Sequence, residues 1–393
     1  MTLGGPPGEN MKNHSFFTSG SLCLLLLFGG DAGNVAWSAE TPGHNPAPAD
    51  SGKTTTGKPH LTIACLSDLH IDYGIEKHEH PNRAGTVRVC REIGRTENAD
   101  VVIVGGDTVS ANSGMDWDKA IYNRVRDTLR ADMKLAVKSG NVLYAAGNHE
   151  YQIGRAYGYN SYDFTEIMKA DTGNFASYLY QHEDKALAGM PNPNYLLAYR
   201  YRIGGYNFIV VNPPSLGKDV NPAEDAISPA TFAWLQGELA KCRKEKAVFF
   251  FTHIPLKDTL GMADHATFGG NVNDRLKGML AKYPNVIYLY AHAHGFDATT
   301  GNLGKNCYIV NDTGERVTRY KEGMMSCFTG SMTYFKTKYD GNHWLTASTP
   351  VILQALIIYV YDDKVVFQMK NYGDVSPGKE LPDAYVRYLK ETT

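Results

Sequence analysis

The stretch NVLYAAGNHE, residues 141–150, joins a short apolar run to a group of polar and flexible residues. The run is apolar on both of its faces, which is typical of a strand in a sheet that is covered on both sides. It ends in Gly147-Asn148-His149-Glu150, which puts an amide, an imidazole and a carboxylate directly after a predicted buried strand. This ending predicts a site at the end of the strand.

The same kind of apolar, β-branched run occurs at five further places in the chain. They are LTIACL (61–66), VVIVG (101–105), YNFIVV (206–211), AVFFFT (247–252) and VIYLYA (286–291). Each has the length of a strand and is too short for a typical buried helix. The sequence therefore predicts at least six strands.

Helical patterns lie between several of these runs. Apolar residues at i+4 steps predict a helix within 115–139, with Gly140 as its C-cap. Ser228-Pro229 predicts the N-cap and first residue of another helix. The stretch 355–372 predicts a β-hairpin that turns at Asp362-Asp363. Strands that alternate with helices indicate an α/β sandwich.

Five of the six runs stop at side chains that can bind a metal ion. These side chains are Asp68 and His70, then Asp107, then Asn148, His149 and Glu150, then His253, and finally His292 and His294. Singly, each segment also fits a structural role, such as a turn, a helix cap or a satisfied core histidine. Ligand sites collect at the carboxyl ends of strands in open α/β sheets, so their joint occurrence predicts a metal centre.

The types of residue indicate which metals and which chemistry to expect. Imidazole and carboxylate together suit transition metals such as Mn, Fe or Zn, in divalent or trivalent form. Two such ions roughly 3.5–4 Å apart can clamp the attacking and leaving oxygens of a phosphate ester and supply a hydroxide near neutral pH. Two adjacent cations need an anionic bridge, and Asp107 is a candidate for that role.

The ordered segments SDLH, GGD, GNHE, THIP and AHAH resemble the calcineurin-like metallophosphoesterases. The resemblance extends over roughly residues 61–300. It implies a four-layer α/β/β/α sandwich of two mixed sheets, with a dinuclear metal site at the carboxyl ends of the strands. It also implies an enzyme that hydrolyses phosphoric esters.

The resemblance also implies a role for each candidate residue. It assigns the first metal to Asp68, His70 and His294, the second to Asn148, His253 and His292, and the bridge to Asp107. His149 would face the substrate, where it stabilises the transition state or protonates the leaving oxygen, and Glu150 would orient His149. Ala291 replaces the usual glycine before the last pair, at a cost of roughly 1–2 kcal/mol if its backbone is left-handed.

The N-terminal region is predicted to direct export. Residues 1–39 have the layout of a signal peptide, with Lys12 before the short apolar core SLCLLLLFGG (21–30). We expect Met11 to be the start, because the ten preceding residues carry no positive charge. A membrane anchor or a disordered tail is the alternative. The expected location is periplasmic or secreted, and no later apolar run is long enough to span a membrane.

The rest of the chain is predicted to form one folded domain. Residues 40–60, rich in Pro, Gly, Ala and Thr, read as a flexible linker. The metallophosphoesterase domain would then occupy 61–393, with a Tyr-rich insertion around 151–200. Of the six cysteines, five follow the signal segment, and they show no C-x-x-C spacing. One bridge, such as Cys307–Cys327, is compatible with export.

The expected substrate is a small-molecule or phosphoprotein phosphate ester. We favour phosphomonoesters, with diesters of nucleotides or phospholipid headgroups as the alternative. The balance of 39 basic against 41 acidic residues disfavours nucleic-acid binding through bulk charge. A metal-dependent amide hydrolase or a non-catalytic metal-binding protein are further alternatives. The former usually places His-x-His after the first strand of a barrel, whereas here the pair comes last.

Overall fold

The strand that precedes the first candidate ligands, Leu61–Leu66, is buried at all six positions in the computed structural model. The structure describes residues 57–71, 81–109, 119–150, 175–181, 195–212, 227–256, 268–292, 307–310, 316–317, 324–328, 334–339, 344–348, 353–372, 379–380 and 385–388. All of them belong to one unit, Thr56–Thr393. The predicted signal segment and most of the predicted linker lie outside the described residues.

The described residues include four helices and seventeen strands with defined bounds. The helices are α1 (Pro81–Thr96), α2 (Lys119–Met133), α3 (Pro229–Lys241) and α4 (Gly270–Leu280). The strands are β1 (Leu61–Leu66), β2 (Val101–Val104), β3 (Val142–Tyr144), β4 (Phe175–Gln181), β5 (Tyr195–Ile203), β6 (Tyr206–Val211), β7 (Val248–Phe251), β8 (Val286–Tyr290), β9 (Cys307–Val310), β10 (Arg316–Val317), β11 (Met324–Phe328), β12 (Tyr334–Tyr339), β13 (Trp344–Ser348), β14 (Gln354–Val360), β15 (Lys364–Asn371), β16 (Lys379–Glu380) and β17 (Tyr385–Tyr388). All six predicted runs are strands.

Two large mixed sheets carry the fold. The first has the order β16-β15-β14-β1-β2-β3, with β17 also paired to β15, and its β1, β2 and β3 are parallel. The second has the order β10-β9-β11-β8-β7-β6-β5-β4, and its parallel strands are β6, β7, β8 and β11. Strands β12 and β13 form a separate two-stranded sheet. Parallel neighbours end on the same side, so the ends of β1, β2 and β3 lie together, as do those of β7 and β8.

The alternation of side chains along β5 shows how the layers are stacked. The Tyr199 hydroxyl donates to the carbonyl oxygen of Tyr144 in the first sheet, 2.8 Å away. The next side chain, Arg200, points to the opposite face and binds Glu238 of α3 at 2.6 Å. Successive strand residues face opposite sides, so the second sheet lies between the first sheet and α3.

Helices cover the outer faces of both sheets. Glu97, directly after α1, accepts hydrogen bonds from Tyr359 of β14 at 2.5 Å and from Lys370 of β15 at 2.7 Å. Helix α2 joins α1 through the buried Arg83–Asp132 ion pair, 3.2 Å. The guanidinium of Arg275 in α4 lies 4.1 Å from the ring centre of Phe232 in α3. The expected fold class, two mixed sheets with helices on their outer faces, is confirmed.

Several local predictions are confirmed as well. The Ser228 hydroxyl caps α3 by accepting from the Thr231 amide at 3.1 Å, and a proline begins the helix. Strands β14 and β15 form the predicted hairpin. The predicted helix within 115–139 is α2, but it ends at Met133, so the predicted C-cap at Gly140 is wrong. Among the described residues, no helix is both long enough and apolar enough to cross a membrane.

The Tyr-rich insertion predicted around 151–200 contains part of the second sheet. Strand β4 and the first part of β5 lie within 151–200, and both belong to the second sheet. The described part of this segment therefore extends the core sheet at one edge. The alternation was obscured in the sequence because tyrosine, which has an apolar ring and a polar hydroxyl, occurs repeatedly in both strands.

Candidate metal centre

The loops after β1 and β2 run side by side and carry the first candidate ligands. The Asp68 amide donates to the Gly106 carbonyl at 3.0 Å, and the His70 amide donates to the Asp107 carbonyl at 2.9 Å. The parallel pairing of the two strands therefore continues into their loops. This pairing fixes the backbone that presents Asp68, His70 and Asp107.

Four of the candidate residues have a left-handed backbone. Among the described residues only five non-glycine positions have positive φ, and four of them are Asp68 (55°), His70 (44°), Asp107 (49°) and His292 (67°). Such conformations cost roughly 1–2 kcal/mol each for ordinary residues, and they concentrate at functional sites. Ala291 is not among them, so the departure from glycine there carries no left-handed strain; the left-handed residue is its neighbour His292.

The carboxylate of Asp107 is the centre of the cluster. Its Oδ2 atom lies 3.3 Å from His253 Nε2, 3.8 Å from His149 Nε2 and 3.9 Å from His70 Nε2. Its Oδ1 atom accepts a hydrogen bond from the His149 amide at 2.9 Å. One buried carboxylate oxygen therefore faces three imidazoles that come from three different segments of the chain.

Two groups of potential metal ligands share Asp107. The first contains His70, Asp107 and His149, and the second contains Asp107, His253 and His292. Within each group the ligand atoms lie within 4.8 Å of one another. The rings of His70 and His149 are 4.6 Å apart, and those of His253 and His292 are 5.1 Å apart. A carboxylate common to two groups is the arrangement that a dinuclear centre requires.

The orientation of His253 suits a metal ligand. Its Nδ1 atom lies 2.7 Å from the carbonyl oxygen of Gly105, which can only accept, so Nδ1 carries the hydrogen. That bond directs Nε2 towards Asp107. Histidines that bind metals commonly donate their other ring N–H to a carbonyl or carboxylate, which fixes both the ring and the tautomer.

Glu150 connects the loop that holds Asp107 to the loop that holds Asn148. Its Oε2 accepts from the amides of Asp107 at 2.9 Å and Gly147 at 2.7 Å. Its Oε1 accepts from the amide and the hydroxyl of Thr108 at 2.6 and 2.5 Å. Three of these four bonds come from backbone amides beneath the candidate ligands, so Glu150 supports two loops. Its predicted orienting role towards His149 stays a prediction.

Burial and charge oppose each other throughout the cluster. Burial disfavours the ionised form of Asp107, but the positive charges of His253, His149 and His70 outweigh it and hold the pKa of Asp107 well below its usual value. Burial by itself would lower the pKa of His253, whereas the Asp107 charge and hydrogen bond raise it to about 9. The buried carboxylate is thus stabilised by positive charge, which is the role that a bound cation fills.

The pKa of Glu150 is raised above its usual value. Burial is the main cause, the neighbouring charge of Asp107 adds to it, and the hydrogen bonds from Thr108 and Gly147 oppose it. The two acidic groups therefore differ in electrostatic character. Asp107 is held as the anion that faces the imidazoles, while Glu150 lies beneath it among backbone donors.

Two glycines leave the space that the cluster occupies. A methyl group at Gly147 would overlap the Oδ1 atom of Asp107. A methyl group at Gly106, whose φ is 92°, would come within 2.7 Å of His253 Nδ1. Gly106 also needs the left-handed conformation that glycine adopts at little cost. The glycines in GGD and GNHE are therefore explained by close packing around Asp107.

The remaining predicted ligands have the burial and donor atoms that metal binding needs. Asp68 is fully buried and Asn148 is 2% exposed. Within the part of the chain that the structure describes, no hydrogen bond reaches the buried Oδ1 of Asn148. A buried amide oxygen without such a bond is costly, and a metal ion would satisfy it. His294 lies outside the described residues.

Asn212 supports the site and was missed by the sequence analysis. It follows β6, is 4% exposed, and accepts from the Ala146 amide at 3.0 Å. This bond links the second sheet to the loop that leads to Asn148. A signal was present, because the run YNFIVV also ends in a polar residue, but an asparagine before two prolines looks like the start of an ordinary turn.

Comparisons with known proteins were made by sequence and by structure. A search of curated proteins found no match. A dimetal phosphatase from Danio rerio aligns at 13% identity over 85% of this chain and 100% of its own, with a TM-score of 0.48. A predicted phosphoesterase from Streptococcus pneumoniae aligns at 11% over 83% of this chain and 98% of its own, with a TM-score of 0.28.

A third solved structure, Vacuolar Protein Sorting 29 from Cryptosporidium parvum, aligns at 12% identity over 84% of this chain and 98% of its own, with a TM-score of 0.31. The sequence profile described as calcineurin-like phosphoesterase matches residues 61–296. The matched region begins at β1 and extends past His294. It therefore contains all five segments that carry the candidate ligands.

Proposed function

The chain belongs to the calcineurin-like phosphoesterase family, and on that premise we propose that it is an exported hydrolase of phosphate monoesters that uses two metal ions. The observation that carries the proposal is the position of Asp107, which is shared by two groups of potential ligands. The reaction class, hydrolysis of phosphoric esters, follows from the family. The substrate preference, the metal ligands and the export are our proposals.

We assign the ligands as the family resemblance implies. Asp68, His70 and His294 would hold one ion, Asn148, His253 and His292 the other, and Asp107 both. When bound, the ions supply Lewis acidity that activates water and the phosphoryl group of the ester. The distances around Asp107 and the buried oxygen of Asn148 support this assignment for the described residues.

His149 is proposed to act on the ester itself. Its amide is held by Asp107 Oδ1 and its ring packs against His70 at a ring angle of 84°. The Nε2 atom is thereby kept near the Asp107 carboxylate, 3.8 Å from Oδ2. From there His149 can donate a proton to the leaving oxygen or stabilise charge on the phosphoryl oxygens. It is close enough to be a ligand too, and the experiments below separate the two roles.

The charges of the proposed ligands support a preference for monoesters. Asp68 and Asp107 are the only carboxylates among them, and the other ligands are neutral imidazoles and an amide. Two divalent cations would therefore leave an excess of positive charge in a buried site. A dianionic monoester neutralises this excess more fully than a monoanionic diester does, and the difference matters most where burial weakens solvent screening.

A substrate panel tests this proposal. The full chain, supplied with Mn, Fe or Zn, is assayed with p-nitrophenyl phosphate and bis(p-nitrophenyl) phosphate, then with chelator added. We expect a higher kcat/KM for the monoester and loss of activity with the chelator. The His149→Ala variant should lose turnover and keep its metal. A higher kcat/KM for the diester would overturn the monoester preference, and loss of metal in His149→Ala would make this residue a ligand.

Export is tested separately. The N-terminal layout in residues 1–39 supports the proposal, and mass spectrometry of the protein from the culture medium or periplasm gives its first residue. We expect a chain that begins near Glu40. A full-length chain recovered from the cytoplasm would contradict export without bearing on the phosphoesterase activity.

A further inference from the structure

Two cysteines occupy paired positions on neighbouring strands of the second sheet. Strands β9 and β11 pair antiparallel, and the register matches Cys307 directly with Cys327. The pairing is regular on the neighbouring positions, where Ser326 matches Tyr308 and Met325 matches Ile309. The register therefore places the two cysteines opposite each other across adjacent strands.

This position satisfies the backbone requirement for a disulfide. Residues directly opposite in an antiparallel pair have Cα atoms about 4.5–5.5 Å apart. Disulfides join residues whose Cα atoms are about 4.4–6.8 Å apart. Directly opposite residues also share one face of the sheet. Both kinds of antiparallel pair, with and without hydrogen bonds, fall in the required range.

The other cysteines of the described chain are in different positions. Cys65 in β1, Cys90 in α1 and Cys242 directly after α3 are buried. Burial raises the pKa of the Cys242 thiol, and that of Cys90 is raised even further by burial and by Asp132. Thiols of this kind are inert to oxidation because the reactive form is the thiolate. They leave Cys307 and Cys327 as the pair suited to a bridge.

We propose that Cys307 and Cys327 form a disulfide in the exported protein. The oxidant is a small or protein disulfide of the kind present in oxidising compartments. One thiolate attacks that disulfide and releases a thiol, which gives a mixed disulfide; the second thiolate then displaces the other half of the oxidant. Two protons leave the cysteines, one S–S bond forms, and the oxidant is reduced to two thiols.

The bridge lies beside the strand that leads to the metal centre. Strand β11 is between β9 and β8, and Cys327 is in register with Leu289 of β8, three residues before His292. A covalent tie between β9 and β11 stabilises this side of the sheet by restricting the unfolded chain between the two cysteines. The disulfide thus supports the strand from which the last pair of histidines follows.

Peptide mapping without reductant tests the proposal directly. The full chain is recovered after export, unfolded, treated with iodoacetamide and digested, with a reduced sample run in parallel. We expect the Cys307 and Cys327 peptides to be joined to each other in the first sample and separate in the second. Cys65, Cys90 and Cys242 should be alkylated in both samples. Free, alkylated Cys307 and Cys327 in the unreduced sample, or a bridge from either to another cysteine, would overturn the proposal.

Thermal unfolding of the wild type and of cysteine variants, with and without reductant, provides a second test. Cys307→Ala, Cys327→Ala and the double variant should each unfold several degrees below the oxidised wild type, by nearly equal amounts. Reduction should lower the midpoint of the wild type and leave that of the variants unchanged. Additive losses in the two single variants, or a wild type that is insensitive to reductant, would contradict a bridge. This outcome is independent of the phosphoesterase activity.

Discussion

The Oε2 atom of Glu150 accepts a hydrogen bond from the backbone amide of Asp107 at 2.9 Å, across 43 positions of the chain. The backbone of Asp107, the residue proposed to bridge the metals, is thus fixed by Glu150, the last residue of the GNHE segment. The two segments act as one unit, since Glu150 also accepts from Gly147 and Thr108. We therefore expect a substitution of Glu150 to lower the affinity for metal ions.

Substitution of Glu150 tests that connection. In Glu150→Gln an amide NH₂ replaces one acceptor and faces backbone donors, so we expect the free energy of unfolding to fall by about 2–3 kcal/mol. Metal affinity should fall as well, since Asp107 loses its support. The measurements are chemical denaturation and metal titration, with the partly exposed Glu245→Gln as the matched control. Unchanged metal affinity in Glu150→Gln would show that the hydrogen bonds do not position Asp107.

Asn212 provides a test from the opposite sheet. Asn212→Leu keeps a similar volume but leaves the Ala146 amide unpaired, which should cost about 1–3 kcal/mol of stability. We expect it to lower metal occupancy through the displaced Asn148 loop. Asn212→Asp retains the acceptor oxygen and should retain most of the metal and of the kcat. Equal metal content in both variants would make Asn212 a purely structural residue.

The close contact between Gly147 and Asp107 predicts a steric effect. In Gly147→Ala the new methyl group overlaps Asp107 Oδ1, so we expect loss of metal binding and at least a hundredfold loss of kcat/KM. The matched control is Gly237→Ala in α3, where the methyl group meets nothing within 4 Å. The control should gain about 0.5–1 kcal/mol in stability from better helix propensity. An active, metal-loaded Gly147→Ala enzyme would contradict the observed packing.

We expect the stability to depend on pH through Glu97, which lies on the face of the first sheet that is covered by α1. Burial opposes ionisation of Glu97, but hydrogen bonds from Lys370, Tyr359 and Thr96 together lower its pKa below the usual value. A lowered pKa in the folded state means that Glu97 stabilises the protein above its unfolded pKa of about 4.3. This contribution disappears as the pH falls through the folded pKa.

The corresponding variant is Glu97→Gln. We expect it to be less stable than the wild type at pH 7 and to lose less stability between pH 6 and pH 3, as measured by denaturation at each pH. Glu245→Gln again serves as the control and should follow the wild type. If Glu97→Gln loses as much stability between pH 6 and pH 3 as the wild type does, the pH effect belongs to other carboxylates.

The sequence predicted the strands and the residues at their ends for a physical reason. Buried parallel strands need continuous apolar runs, and ligands at their carboxyl ends appear as polar residues directly after these runs. Asp107 and His253, whose side chains approach to 3.3 Å in the structure, could therefore be chosen as candidate ligands from the sequence. The layered arrangement followed from the alternation of strands and helices together with the family resemblance.

Other features depend on contacts that no local pattern contains. Asn212 meets Ala146 across 66 positions, and Glu150 meets the GGD loop rather than only its neighbour in sequence. Strand β4 was missed because its aromatic side chains conceal the alternation. The sequence analysis considered a left-handed backbone at Ala291, whereas in the structure the left-handed residue is its neighbour His292.

The metal content of the exported protein is the most direct test of the dinuclear centre. After loading with Mn, Fe or Zn and removal of excess metal, we expect about two ions per wild-type chain. The Asp107→Asn variant should bind well below one ion per chain, because both groups of ligands lose the carboxylate that they share. The Asp362→Asn variant, at an exposed position, should bind as many ions as the wild type. A wild-type chain with one ion or none, or an Asp107→Asn variant that keeps two, would contradict a centre built around Asp107.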